Sequence, residues 1–259
     1  MRRMRSCGAH ILRVGFLCVA TWSITLCLAS RQVVAQAEVD GSRRSNPQPR
    51  VDVREAPWDS IGKLQSVAGG IRETCTAALV GSRMVLSAAH CLFNRRTRHY
   101  FSPLSVHFVA GLEGQSFTAA AMARQLMTGP GYDPENPGGT MGSDWSLIEL
   151  ASDVGNADHV LPLSRRIPPD GTMLMVGGYA QEHPNVLTAD LDCRVTGSFV
   201  DSQGRRLIRH NCATSRGVSG APLLVRTETG WSIVGINVAQ AKDGANGFAV
   251  ALGEVWPHL

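Results

Sequence analysis

Cys212-Ala-Thr-Ser-Arg-Gly-Val-Ser-Gly-Ala-Pro222 runs directly into Leu223-Leu-Val225, then the polar Thr227-Glu-Thr-Gly230, then a long apolar run that starts at Trp231. Ala221 to Arg226 and Trp231 to Ala239 read as strand, turn, strand, because two β-rich apolar runs separated by a short glycine-containing segment form a hairpin. A serine on a sharp strand-to-helix elbow would need a helical period after it and a glycine where Ala221 stands. Neither is present. The serine of this stretch, Ser219, therefore belongs to a loop in a β protein.

The texture on either side agrees. From Trp58 onward, short apolar runs are broken by Gly, Pro, Asn and Asp: Ala77 to Val80, Met84 to Ala89, Val106 to Ala110, Leu147 to Leu150 and Met173 to Val176. Strands with turn residues at this spacing point to an all-β sandwich or barrel. Ala119 to Met127 fits a brief helix or a strand equally well. Gly129 to Gly142, with Pro130, Pro134 and Pro137, reads as loop. A polar stretch at Val154 to Arg166 marks the expected boundary between two lobes. No internal repeat or low-complexity tract is visible.

The amino-terminal end reads as an address. Arg2, Arg3 and Arg5 precede an uncharged stretch, Val14 to Ala29, and Ala35-Gln-Ala37 is a small-x-small cleavage site. The uncharged stretch is shorter than the roughly 20 residues of a spanning helix, so a cleaved signal over 1–37 is expected, with an uncleaved anchor as the alternative. Removing 37 residues from 259 leaves 222, a length that suits one two-lobed β protein. Residues 38–56 are polar, carry Pro47 and Pro49, and read as a linker or short propeptide before a domain over 57–259. The formal charge of +4 includes five leader arginines, and subtracting them leaves −1. Arg95-Arg96 and Arg205-Arg206 are then solvated loop tips, and no nucleic-acid face is expected.

Two further runs give Ser219 its company. Leu86-Ser-Ala-Ala-His-Cys91 offers His90, and Ser143-Asp-Trp-Ser-Leu-Ile-Glu-Leu150 offers Asp144 at the mouth of an apolar run. A hydroxyl is a poor nucleophile until an imidazole takes its proton, and the imidazole needs a carboxylate to fix its tautomer. Asp133 and Asp153 are the fallback carboxylates. Asp144 is preferred because a buried strand would anchor it.

Cys75, Cys91, Cys193 and Cys212 remain after the leader is removed, an even number in an exported chain. Of the three possible connectivities, Cys75–Cys91 and Cys193–Cys212 are favoured, since each closes a short loop near one of these runs. Each bridge would contribute about 3 kcal/mol on the loop-entropy account. No pair has the close spacing of a structural zinc site, so no metal is expected.

The order His90, Asp144, Ser219, with Ala88-Ala-His-Cys91 and upstream Cys75, Ser143-Asp-Trp-Ser-Leu147, Thr214-x-x-Gly-x-Ser-Gly-x-Pro222, Val234-Gly-Ile236 and Asn246-Gly-Phe-Ala-Val250, resembles bacterial trypsin-like serine peptidases of the chymotrypsin fold, closest to the V8 / glutamyl-endopeptidase branch. The resemblance touches most of residues 57–252. It implies two six-stranded antiparallel barrels, about 57–155 and 156–259, with the active site in the cleft between them. It also implies His90 as general base then acid, Asp144 as its orienting carboxylate, Ser219 as nucleophile, and the N–H groups of Gly217 and Ser219 as the oxyanion hole. Ala213, Thr214, Asn237 and Gln240 would form the specificity pocket.

The chain departs from the digestive enzymes at Val218, where they carry the aspartate that pairs with a newly cut amino terminus. That activation switch is expected to be missing, although a cut between Arg50 and Val51 would still be possible. Ala213 at the pocket base carries no carboxylate, so cleavage after Arg or Lys is not expected, and a neutral residue is preferred. Cleavage after glutamate is the alternative, with Thr214 and His210 as candidate donors, weakened because Asn237 stands where glutamate-specific relatives keep a histidine. The expected partner is a polypeptide substrate, met by a monomer without cofactor, nucleic acid or stable membrane attachment, in the periplasm or outside the cell. The competing class is a protease-like binding protein that does not turn over substrate.

Overall fold

Alternation of side chains builds the first barrel. In Val106–Ala110 the residues Val106, Phe108 and Ala110 are buried, while His107 and Val109 are partly exposed, the two-residue period of a strand with one face on a core. In a computed structural model describing residues 48–241 and 244–255, such strands close into two barrels. The signal expected over 1–37 lies outside the described residues.

In chain order the strands are β1 (Ile61–Ala68), β2 (Ile71–Leu79), β3 (Met84–Ser87), β4 (Phe93–Asn94), β5 (His99–Tyr100), β6 (Val106–Ala110), β7 (Ala119–Thr128) and β8 (Ser146–Leu150), followed by β9 (Met173–Gly178), β10 (Thr188–Val200), β11 (Arg206–His210), β12 (Pro222–Thr227), β13 (Gly230–Gln240) and β14 (Gly247–Ala251). One barrel has the order β1-β2-β3-β8-β7-β6 and the other β10-β11-β14-β13-β12-β9; β4 and β5 form a separate ribbon. All the pairings within the barrels are antiparallel. The all-β two-barrel expectation is met, and the ambiguous Ala119 to Met127 is a strand. Closure leaves no sheet edge in either barrel, which removes the template for edge-to-edge association.

Ile61, Leu64, Leu79, Leu86, Phe108, Ile148 and Leu150 fill the first barrel, each at most 1% exposed. Leu174, Leu207, Ile208, Leu223, Ile233 and Val250 are equally buried in the second. Each such side chain contributes about 1.5–3 kcal/mol relative to exposure. The long strands bend through bulges, in β10 near Val195 and Gly197 and in β13 near Asn237 and Ala239, which lets one strand follow a tight barrel wall.

The expected linker is in part built into the fold. Arg50 bridges Thr188, Val51 N–H donates to Leu187 O at 3.2 Å, and Ala189 N–H donates to Pro49 O at 3.0 Å. Val51 and Val53 are buried. The alternation Val51-Asp-Val53 carries a strand-like signal that the polar average of 38–56 conceals. Both disulfides form as expected, Cys75–Cys91 and Cys193–Cys212. Among the described residues no helix is long and apolar enough to cross a membrane.

Candidate active site

β3 and β8 pair so that Ser87 lies opposite Ser146. Register therefore sets the turn following β3 beside the turn preceding β8. The first is a 3-10 turn, Ala89–Leu92, which carries His90 and is fastened by the Cys75–Cys91 bridge and by Ser66 Oγ donating to Cys91 O at 3.1 Å. The second, Met141–Ser143, delivers Asp144, and the buried Trp145 and Leu147 beyond it fix the chain. Ser146 Oγ joins the two turns by donating to Ala88 O at 3.1 Å.

Asp144 is 4% exposed. Its Oδ1 accepts the His90 backbone N–H at 2.8 Å, and its Oδ2 lies 2.7 Å from His90 Nδ1. The carboxylate can only accept from Nδ1–H, so Nε2 of the neutral ring is left with its lone pair. Burial disfavours the imidazolium, but the charge and hydrogen bond of Asp144 outweigh it, and the His90 pKa is raised above its usual 6.5. The fallback aspartates are engaged elsewhere. Asp153 pairs with Arg83 at 2.8 Å on the surface, and Asp133 caps its own loop, accepting from the Glu135 N–H at 2.9 Å.

Ser219 sits in the loop between β11 and β12. Gly217 and Gly220 flank it with φ of 94° and 80°, a region only glycine enters without strain. A Cβ on Gly217 would collide with Tyr179 O, and one on Gly220 with Ser87 Oγ and Thr76 O. Between the glycines, Val218 N–H is taken by Ser215 O at 3.1 Å. Among the described residues the N–H groups of Gly217 and Ser219 have no protein acceptor. Ser219 and His90 line one cavity of about 570 Å³. No hydrogen bond joins their side chains, a common state before substrate tightens such contacts.

Sequence reasoning missed the residue that fastens this loop. Thr76, on β2 of the other barrel and fully buried, donates N–H to Ser219 O at 2.8 Å and Oγ1 to Gly217 O at 2.9 Å, while its Oγ1 accepts Tyr179 N–H at 3.0 Å. A threonine in a strand next to a cysteine carries no sequence signal for that role.

Ala213, Thr214 and Gln240 line a cavity of about 410 Å³ together with Gln48, Glu182 and His183. Ala213 is held from two sides, its N–H by Asp190 Oδ2 at 2.8 Å and its O by Gln48 Nε2. Gln48, unexpected from the sequence, comes from the segment read as linker. Glu182 lies at the exposed rim, where Ser215 Oγ donates to it at 2.8 Å.

Asn237 and His210 lie deeper in the protein. Neither is among the residues lining this cavity. Asn237, beside the β13 bulge, is 4% exposed, and its Nδ2 donates to Val218 O at 3.1 Å in the Ser219 loop. Its backbone accepts Gly220 N–H at 2.7 Å and donates to Ala221 O at 2.8 Å. Asn237 thus positions the loop.

His210 is fully buried, with Nδ1 accepting Cys212 N–H at 3.3 Å. Burial lowers its pKa to about 4, against a smaller opposing effect of Asn237. The unfolded imidazole titrates near 6.5, so the native state binds this proton less readily. Stability from His210 is complete above pH 6.5 and falls away below it, the loss reaching about 3 kcal/mol at pH 4. Urea unfolding at pH 7 and pH 4, compared with His210→Gln, should show that loss in the parent and a smaller one in the variant.

Cys75, His90 and Cys91 are the one grouping of metal-ligand residue types within bonding reach of each other among the described residues. Both sulfurs are in a disulfide, so neither offers the thiolate a metal would need.

Two closed six-stranded barrels with this chemistry between them define a trypsin-like serine protease architecture. The Trypsin family model matches residues 50–254, and the chain belongs to that family. Human Transmembrane protease serine 5 is 26% identical over 205 residues, covering 70% of this chain and 42% of its own length. Rat Mannan-binding lectin serine protease 1 is 27% identical over 140 residues, covering 49% and 19%. The chain thus spans less than half the length of these animal relatives. Among solved structures, a Glu endopeptidase in complex with MPD superposes with a TM-score of 0.66 at 20% identity, covering 82% of this chain and 94% of that one. The thermostable serine protease AL20 from an extremophilic microorganism follows at 0.60 and 18%, covering 77% and 94%. Both are likenesses of fold.

Proposed function

We propose that this chain is an exported serine endopeptidase acting through His90, Asp144 and Ser219. The observation that carries the proposal is the Asp144–His90 pair at 2.7 Å, opening on a cavity shared with Ser219. Ser219 Oγ attacks the scissile carbonyl carbon as His90 Nε2 takes its proton. The carbonyl oxygen becomes an oxyanion between the N–H groups of Gly217 and Ser219. The C–N bond then breaks as His90 returns the proton to the departing amine, leaving an acyl-enzyme. Water, deprotonated by the same imidazole, releases the acid. Asp144 holds the ring through Nδ1–H and stabilises the imidazolium.

The pocket of Ala213, Thr214 and Gln240 is proposed to take a neutral side chain. Ala213 at its base carries no carboxylate for Arg or Lys, Glu182 being engaged by Ser215 at the exposed rim and Asp190 by the Ala213 N–H, and the buried, neutral His210 offers no cation to Glu. Maturation without a cut at Arg50 is part of the same reading. Val51 N–H is in use, Arg50 pairs with Glu113, and the buried Val218 offers no acid to a new amine. Val218 and the fold likeness to a Glu endopeptidase support the V8-like branch; the disulfides support export.

The test is a peptide library digested by the secreted protein and read by mass spectrometry, with matched ester and amide substrates beside it. Cuts after neutral residues support the proposal. Ester hydrolysis without any peptide cleavage would refute it.

A further inference from the structure

Charge is distributed unevenly around Ser219. Two cavities follow β13, one reaching Gln240 and the other Val238 and Ala239. A peptide's acyl portion laid along that strand would use both. The third cavity, about 570 Å³, lies on the opposite side of the nucleophile against Cys75 of the Cys75–Cys91 bridge, and would receive the chain beyond the scissile bond. Arg72, Arg95 and Arg216 line it, against the single carboxylate of Glu73; Arg95 is shared with the Val238–Ala239 cavity, which also holds Asp144, whereas Arg72 and Arg216 line this one alone of the three.

These arginines come from three separate places: β2, the turn after β4, and the residue preceding Gly217. All are exposed, and none forms an ion pair among the described residues. Arg50, Arg83, Arg98 and Arg124, by contrast, are each paired with a carboxylate. The field of the cleft reaches the catalytic ring, since Arg95 lowers the His90 pKa and Glu73 raises it. The chain without its leader carries a net charge near −1, so the positive charge here is local. A concave site lined by one sign concentrates ligands of the other, and guanidinium groups bind carboxylates in a bidentate fork.

We infer that the leaving-group side of the cleft selects acidic peptide, with Asp or Glu in the first two positions after the scissile bond. This rests on the peptidase reading and deepens it.

The test uses peptides sharing one acyl half and carrying Asp-Glu, Ala-Ala or Lys-Lys after the bond. Turnover by the full chain gives kcat/KM, and fluorescence anisotropy on the Ser219→Ala chain gives Kd without turnover. The acidic peptide should bind and react about tenfold better than the lysine peptide at low salt. The gap should narrow in roughly 0.5 M salt, where screening is strong, and in Arg72→Gln and Arg95→Gln, whose exposed positions leave folding intact. Equal Kd values for all three peptides, or tighter binding of the lysine peptide, would overturn the inference. An acidic preference in Kd without turnover of any peptide would uphold the acidic selectivity of the arginine-lined cavity while refuting the peptidase reading.

Discussion

Ser219→Ala should lower kcat for peptide hydrolysis about a million-fold, or about 8 kcal/mol of transition-state stabilisation. The substitution removes one oxygen from a loop whose shape depends on other groups: the glycines on either side, Thr76 N–H on Ser219 O, and Asn237 beneath. Folding and substrate binding should therefore survive, and the loss should appear in kcat with KM little changed. Residual activity over water would come from the backbone N–H groups at positions 217 and 219, which the variant keeps. Single-turnover kinetics beside urea unfolding separates this outcome from a folding defect. A variant that stays within about tenfold of the parent would show that another group is the nucleophile.

Asp144→Asn should cost about ten-thousand-fold in kcat, through the tautomer of His90. The reason lies in the two contacts of this carboxylate. One oxygen accepts the His90 backbone N–H, which can only donate. In the variant the amide oxygen must take that place, which turns the amide NH2 toward His90 Nδ1. The ring then accepts at Nδ1 and carries its proton on Nε2, where it cannot receive the proton of Ser219. In the parent, kcat/KM should rise with pH through the raised His90 pKa, because the base must be neutral and Asp144 favours the charged ring. In Asp144→Asn that limb should move to lower pH, since the charge that raises the pKa is gone. A pH–rate profile of both proteins checks the pair of expectations. A variant with parental kcat would mean that Asp144 only supports the turn.

Much of this arrangement was legible in the sequence, for identifiable reasons. Cys91 beside His90, and the glycines around Ser219, are local signals. Each comes from a tight backbone position or a covalent bond, and such constraints act within a few residues. The strand-turn-strand after Ser219 was equally plain, since β12 and β13 form one hairpin. What the sequence did not reveal depends on distant pairing. Thr76 reaches Gly217 O in the Ser219 loop across 141 positions. Gln48 touches Ala213 across 165.

Asn237 was placed in the pocket by counting forward to the position where similar peptidases keep a histidine, and its Nδ2 contact with Val218 O, 19 positions away, carries no sequence signal. Val51 and Val53 were averaged into a polar segment, although both are buried against the fold. Of the arginine cluster only Arg95 stood out in the sequence, as half of a pair read as a solvated loop tip; Arg72 and Arg216 join it from unconnected segments.

The central claim is that Ser219 is a nucleophile activated by His90 and Asp144. Its most direct test is labelling of the purified chain by a fluorophosphonate, beside Ser219→Ala, with the adduct located by mass spectrometry. A single adduct on Ser219, absent from the variant and faster as pH rises through the His90 pKa, is the expected result. A folded, disulfide-bonded protein that takes up no label, or takes it up equally in the variant, would contradict the account.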